Sequence, residues 1–222
     1  NLLQKTAIMT VETMLTVWAR AQGMNQAQAE AYSKRAAVLM TRAGRMWSEV
    51  VAETKDLIVV NGSDANTERL ASSHRKRLKA FGVYASEAAL KSAAHGILAA
   101  PNFEHNNDQL EITATLVEAK GDFAKISVGG SVVSVTLPSP GLHYAVDAAL
   151  AFGMANQILN TNIDLKVAAR AISEMSPVYG RGEVIEHNGQ QIQLIMMKNL
   201  PSLQANLDAL TATPSKVWIS VD

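Results

Sequence analysis

A short, continuous apolar run, Leu57-Ile58-Val59-Val60, constrains this chain more than any other stretch. Lys55-Asp56 precede it and Asn61-Gly62 follow it, so it is too short for a helix and reads as a buried strand closed by a turn. A helix is expected over 65–78, and Ala80-Phe81-Gly82-Val83 supplies the next strand. Strand, helix and strand in that order predict a parallel α/β unit, because two parallel strands need a crossover between them.

The rest of the chain is read around that unit. Ile8, Val11, Met14, Leu15 and Trp18 fall at helical spacing within 6–22, and Gly23 ends that helix. A second helical stretch covers 25–53, with a break expected at Gly44. Met9, Met14, Met40 and Met46 suit either a sticky partner surface or, as the preferred reading, gap filling in the core. Residues 84–108 are mixed and turn-rich, with Pro101 and Asn106-Asn107-Asp108. In the β-rich block beyond them, Ile112, Ala114 and Leu116 alternate with Glu111, Thr113 and Thr115. The strands 123–128 and 132–137 flank the hairpin turn Gly129-Gly130. Pro138-Ser139-Pro140-Gly141 breaks the sheet, and helices follow over 143–159 and 164–175, the second capped by Asn162 or Asp164. A domain boundary is expected near 177–182. Strands 184–186 and 192–197 around Asn188-Gly189, a helix after Pro201 and a strand at 217–221 then form a β-β-α-β tail. That tail reads as the opening of a second α/β domain.

Composition narrows the function. The chain has 222 residues, 48% of them apolar and 18% charged, which suits a folded core rather than disorder. Formal net charge is zero, so neither nucleic acid nor an anionic membrane surface is an expected partner. The basic run His74-Arg75-Lys76-Arg77-Leu78-Lys79 reads as a solvated helix face. There is no cysteine, which excludes disulfides and thiolate zinc sites and favours the cytosol. No apolar run approaches the ~18–20 residues that span a bilayer. The first residues, Asn1-Leu2-Leu3-Gln4, carry no methionine and no signal-peptide pattern, so the chain is expected to start inside a longer gene product.

Local chemistry is sparse. Neither a GxxxxGK[ST] nor a GxGxxG loop is present, and Gly180-Arg181-Gly182 is only a GxG. Lys5-Thr6 is similar to the end of a phosphate loop, but Gln4 stands where glycine would be needed. The histidines His74, His95, His105, His143 and His187 lack HExxH spacing, and no GxSxG elbow occurs. What stands out is an ordered series: 56–64, a strand entering a polar turn; 137–151, a turn opening a small-residue helix; 179–183 at the expected boundary; and 198–202, where a strand meets a helix. Loops at strand C-termini and helix N-termini point backbone N–H groups outward, where a ligand can sit. Arg181 could pin a ribose or phosphate, and Lys198 could neutralise a phosphate or carboxylate. Taken singly, each stretch reads as an ordinary turn and Arg181 as an exposed boundary charge.

As a series these stretches resemble the Mur ligase family. Residues 57–64 look like the family's "VLNADDP", 138–151 like "LPGLYNVYNALAA", 180–183 like "GRGE" at the junction to the C-terminal domain, and 198–202 like "KNPAG" of the MurT-like branch. The resemblance covers about 45–222. MurT-like proteins carry a zinc ribbon in the central domain. The matching stretches here, Ala85-Ser86-Glu87-Ala88 and Ala100-Pro101-Asn102-Phe103, keep the pair spacing but not the ligands, so no zinc is expected.

The resemblance implies an α/β fold. It comprises a Mur-ligase-like central domain over 1–177, with a β-rich insertion and a degenerate ribbon-like stretch at about 84–108. The start of a Rossmann-like C-terminal α/β domain follows over 178–222. It further implies the ligase-type subunit of a lipid II isoglutaminyl synthase, a bacterial cytoplasmic protein that meets the membrane only through its substrate. ATP and Mg²⁺ would activate the D-glutamate carboxylate of lipid II as an acyl phosphate. Ammonia from a GatD-like glutamine amidotransferase partner would then give isoglutamine. Asn61, Asp64, His143, Asp147 and Arg181 become the candidate nucleotide-binding residues, and Lys198 and Asn199 the candidate substrate or phosphate contacts; no residue is assigned a catalytic or metal-ligating role.

The chain also departs from the family pattern. The phosphate loop is missing, the acidic metal ligand expected after the next strand has no match, and Tyr144 and Asp147 replace the asparagines of "YNVYN". By itself this chain is therefore expected to bind ATP weakly or not at all. Two alternatives stand beside the amidating subunit: another Mur-superfamily amino-acid ligase, of cyanophycin or folyl-polyglutamate type, and a non-catalytic Mur-like scaffold.

Overall fold

The structure is a computed structural model that describes residues 25–91, 110–160, 162–177, 181–196, 203, 206–207, 209–210 and 212–219. The expected helix over 6–22 lies outside these residues. The chain divides into two compact units, 1–55 and 56–222.

In the first unit, helix α1 runs unbroken through Gly44 from Gln26 to Glu53. Asn25 and Gln28 cap it reciprocally: the Gln28 amide donates to Asn25 Oδ1 at 2.9 Å and the Asn25 amide to Gln28 Oε1 at 3.2 Å. One interior glycine costs a helix about 1 kcal/mol, too little to interrupt a capped helix of this length. Met46 is 66% exposed, beside the exposed Trp47 and Val50, so it is not the core filler expected.

The second unit is built on a five-stranded sheet in the order β1-β2-β3-β4-β5. Strand β1 (Leu57–Asn61), helix α2 (Ala65–Ser73) and strand β2 (Lys79–Ala85) form the expected parallel unit, with Val59 opposite Phe81. Helix α2 ends five residues before the expected 78, in a run of turns held by bonds such as Arg77 N–H to the His74 carbonyl. The stretch likened to the first half of a ribbon ends β2 and opens helix α3 (Glu87–Lys91); residues 100–103 lie outside the described residues.

Strand β3 (Glu111–Lys120) pairs parallel to β2 and antiparallel to β4 (Phe123–Val128), and β5 (Ser131–Thr136) closes the meander. The β-rich block therefore continues the parallel strands in one mixed sheet. Its inner face does not follow the simple alternation read from the sequence. Ile112 is 53% exposed and Thr113 3% exposed. The cause is a register shift opposite Gly82 and Val83, where Ile112 faces Gly82 but Val83 faces Ala114. Thr113 is the extra residue of a bulge, which turns Ile112 outward.

Helix α4 (Leu142–Ile158) lays Ala145, Ala148, Ala149, Phe152, Gly153 and Asn156 on the sheet, a stripe at the 3.6-residue period. Of these, Ala145, Ala148, Ala149 and Phe152 join Leu116, Ile126, Val135 and Leu137 in the main core. Helix α5 (Leu165–Ser173) follows and packs on β5, its first turn capped by Asp164 Oδ1, which accepts from the Lys166 and Val167 amides.

Strands β6 (Arg181–His187) and β7 (Gln190–Ile195) form a separate antiparallel hairpin around Asn188-Gly189, as expected. Residues 203, 206 and 207 are helical. The strand expected at 217–221 does not form over its described part: 216–219 has no regular structure, and Trp218 is 92% exposed. A strand needs a partner edge for its backbone groups, and none is offered to these residues among those described. No helix among the described residues is long and apolar enough to cross a membrane.

Candidate functional site

The polar turn after β1 is occupied by its own backbone. Asn61 Oδ1 accepts from the Ser63 amide at 3.1 Å, and the Asn61 carbonyl accepts from Thr67 Oγ1 at 2.6 Å. Asp64 caps α2, its Oδ1 accepting from the Asn66 and Thr67 amides at 2.8 and 3.1 Å. Ser63, 8% exposed, ties the turn to β2 by accepting from the Ala85 amide at 2.8 Å. A buried pair stands behind the turn: Tyr84 donates to Glu68 Oε1 at 2.7 Å and accepts from the Leu110 amide at 3.0 Å. Burial, and then the bond to Glu68, push the Tyr84 phenol well above its ordinary value.

A second group of residues gathers at the N-terminus of α4. Ser139, Pro140, His143 and Tyr144 form one wall of a pocket, and Gly182, Gln193 and Ile195 of the hairpin form the other, with Asn206 and Ala209 at its edge. The loop before α4 is fixed to the β3–β4 turn by two backbone bonds, Leu137 N–H to the Asp122 carbonyl at 2.6 Å and Gly141 N–H to the Gly121 carbonyl at 3.2 Å. The His143 ring lies over Gly141 and is tilted 43° against Tyr144, with centroids 4.8 Å apart.

Two of the four stretches singled out in the sequence thus meet in space: Ser139, Pro140, His143 and Tyr144 of 137–151 and Gly182 of 179–183 share this pocket. Of the candidate residues, His143 lines it and Asp147 is exposed one helical turn further along α4. Arg181 pairs with Ile195 and so enters the hairpin beside the pocket. Asn61 and Asp64 are not among the lining residues. The order of the sheet sets β1 four strand steps from β5, about 19 Å at ~4.8 Å per step. Lys198 and Asn199 lie outside the described residues.

Ser139 and Tyr144 were legible as part of a stretch but not as pocket residues. Gln193 and Asn206 gave no signal, because the hairpin register and the helical residues after it carry them there. The lining side chains that can hydrogen-bond are a hydroxyl, a phenol, an imidazole and two amides, with no lysine, arginine or carboxylate. Such a set can bind a neutral planar or hydroxylated group and offers phosphates no permanently charged cation. No group of three or more His, Cys, Asp or Glu side chains that could hold a metal ion occurs among the described residues.

No protein-family model matches the chain, and no curated protein matches it. Among solved structures it is similar to a pseudomurein peptide ligase type C from Methanothermus fervidus, with a TM-score of 0.56 and 16% identity over 76% of this chain and 37% of that one. It also aligns with a UDP-N-acetylmuramoylalanyl-D-glutamyl-2,6-diaminopimelate–D-alanyl-D-alanyl ligase from Acinetobacter baumannii. That match has a TM-score of 0.49 and 16% identity over 73% of this chain and 31% of that one. The first of these carries the fold: the chain has the α/β architecture of a Mur-ligase-like domain. The chain spans just over a third of that ligase's length.

Proposed function

We propose that this chain is part of an ATP-dependent ligase of the Mur superfamily, and specifically of the MurT-like subunit that amidates the D-glutamate carboxylate of lipid II with a GatD-like glutamine amidotransferase. The observation that carries the reading is the meeting of 138–141 with Gly182: the two stretches that resemble Mur ligase motifs build one pocket on a Mur-ligase-like sheet. In this reading the neutral pocket takes the base or ribose of ATP, and Arg181 contacts the nucleotide from the hairpin. His143 and Asp147 complete the nucleotide's surroundings, and Lys198 and Asn199 face phosphate or substrate. Asn61 and Asp64, four strand steps from β5, shape the turn after β1 rather than the base and ribose site. The phosphates and Mg²⁺ call for charged groups beyond those that line the pocket, and the hairpin is the opening of a C-terminal domain. The protein works in the bacterial cytoplasm.

A second reading, an amino-acid ligase of the same superfamily, draws support from the peptide ligase among the structural neighbours. The test is reconstitution of the complete gene product and its neighbouring amidotransferase with ATP, glutamine and lipid II. Mass spectrometry of the product decides: isoglutamine supports the amidating subunit, an added amino acid supports the second reading, and unchanged lipid II with no ATP consumption refutes both. Arg181→Ala should raise the KM for ATP by about one to two decades, the worth of one charge-assisted contact, with the melting temperature nearly unchanged.

A further inference from the structure

The hairpin β6–β7 is poorly supported. No other described element packs extensively along it, and Val184, Ile185 and Ile192 are 56%, 39% and 45% exposed. An isolated two-stranded hairpin is marginal in water, and among the described residues its position against the sheet rests on a few contacts. One is built to an unusual tolerance. The ladder slips between Arg181, which faces Ile195, and Glu183, which faces Leu194, leaving Gly182 as the extra residue of a bulge. Gly182 has φ +90°, a conformation that side chains disfavour, and a Cβ placed on it would overlap Ser139 Oγ. Ser139 is only 6% exposed and belongs to a loop already fixed by Leu137 and Gly141, so relief of the overlap falls to rotation of its hydroxyl or to movement of the hairpin.

We infer that Gly182 seated on Ser139 is the joint that hangs the hairpin on the central sheet and sets the width of the pocket between them. Gly182 and Ser139 are positioning residues. They bring the wall bearing Gln193 and Ile195 up to the wall bearing His143 and Tyr144. This role does not depend on which ligand the pocket takes, and it holds whether or not the ligase reading does.

Hydrogen–deuterium exchange of the 222-residue chain tests it. In Gly182→Ala the amides of β6 and β7 should exchange about tenfold faster or more, the effect of an overpacked contact, while those of β3–β5 keep their protection. Ser139→Val pushes on the same contact from the loop side, without touching the glycine's backbone, and should release the same amides. Ser139→Ala removes the oxygen that a Cβ at Gly182 would strike, so Gly182→Ala should cost less protection in that background than alone. Unchanged exchange in the hairpin for both single variants would overturn the inference. So would equal loss of protection in β3–β5, or a Gly182→Ala effect identical with and without the Ser139 hydroxyl.

Discussion

Tyr84 ties three parts of the chain through one oxygen: it donates to Glu68 on α2 and accepts from the Leu110 amide just before β3, while its own strand lies between them. The ring also fills the space above Gly62 and Gly82, where any Cβ would collide with it. Tyr84→Phe keeps the ring and deletes the oxygen, leaving a buried carboxylate and a buried amide without their partner. The expected loss is about 1–3 kcal/mol near neutral pH, read as a lower urea midpoint. The pH dependence has a definite sign. The folded phenol titrates above its unfolded value of about 10, so the unfolded chain gives up the proton first, and stability falls as pH rises past that value. The wild-type urea midpoint should therefore decline more steeply than that of Tyr84→Phe between about pH 9 and about pH 11. Parallel curves would show that the phenol's shift does not contribute.

Helix α4 shows the same closeness at the level of an element. Gly153 faces β2 and β3 so tightly that a Cβ there would lie 2.7 Å from Val83 Cγ2 and 2.8 Å from Thr113 Cγ2. Both neighbours are buried and branched at Cβ, hence stiff. Thr113 is further held by donating to the Gly153 carbonyl at 3.0 Å and accepting from Gln157 Nε2 at 2.8 Å. Gly153→Ala gains about 1 kcal/mol in helix propensity but overpacks at a cost of about 1–3 kcal/mol, so the melting temperature should fall; a rise would show that the sheet yields. None of this was legible in the sequence. The run 57–60, the turn at Gly129-Gly130 and the small-residue helix were, because each is encoded by one continuous local stretch. The outward turn of Ile112, the Tyr84–Glu68 pair and the approach of Gly182 to Ser139 depend on register and packing between distant segments. Trp218 fails in the opposite sense: the alternation Val217, Ile219 and Val221 promised a strand, but no edge meets its described part.

Across the whole second unit, the sheet changes character at β3, parallel to β2 on one side and antiparallel to β4 on the other. The two sides differ in how much chain must be closed to pair them. Strands β3, β4 and β5 are joined by two-residue turns, whereas β1 reaches β2 across a helix and β2 reaches β3 across 25 intervening residues, 86–110. Closing a longer loop costs more entropy before any contact rewards it, so the meander, with α4 folded back upon it, should assemble ahead of the parallel pair. Kinetics can separate the two halves. Ile126→Val, at the centre of the meander, should slow refolding, whereas Val59→Ala on β1 should act mainly by hastening unfolding. A single switch in strand direction would thereby divide one continuous sheet into an early half and a late half, with the turn that bears Asn61 and Asp64 among the last parts to take shape.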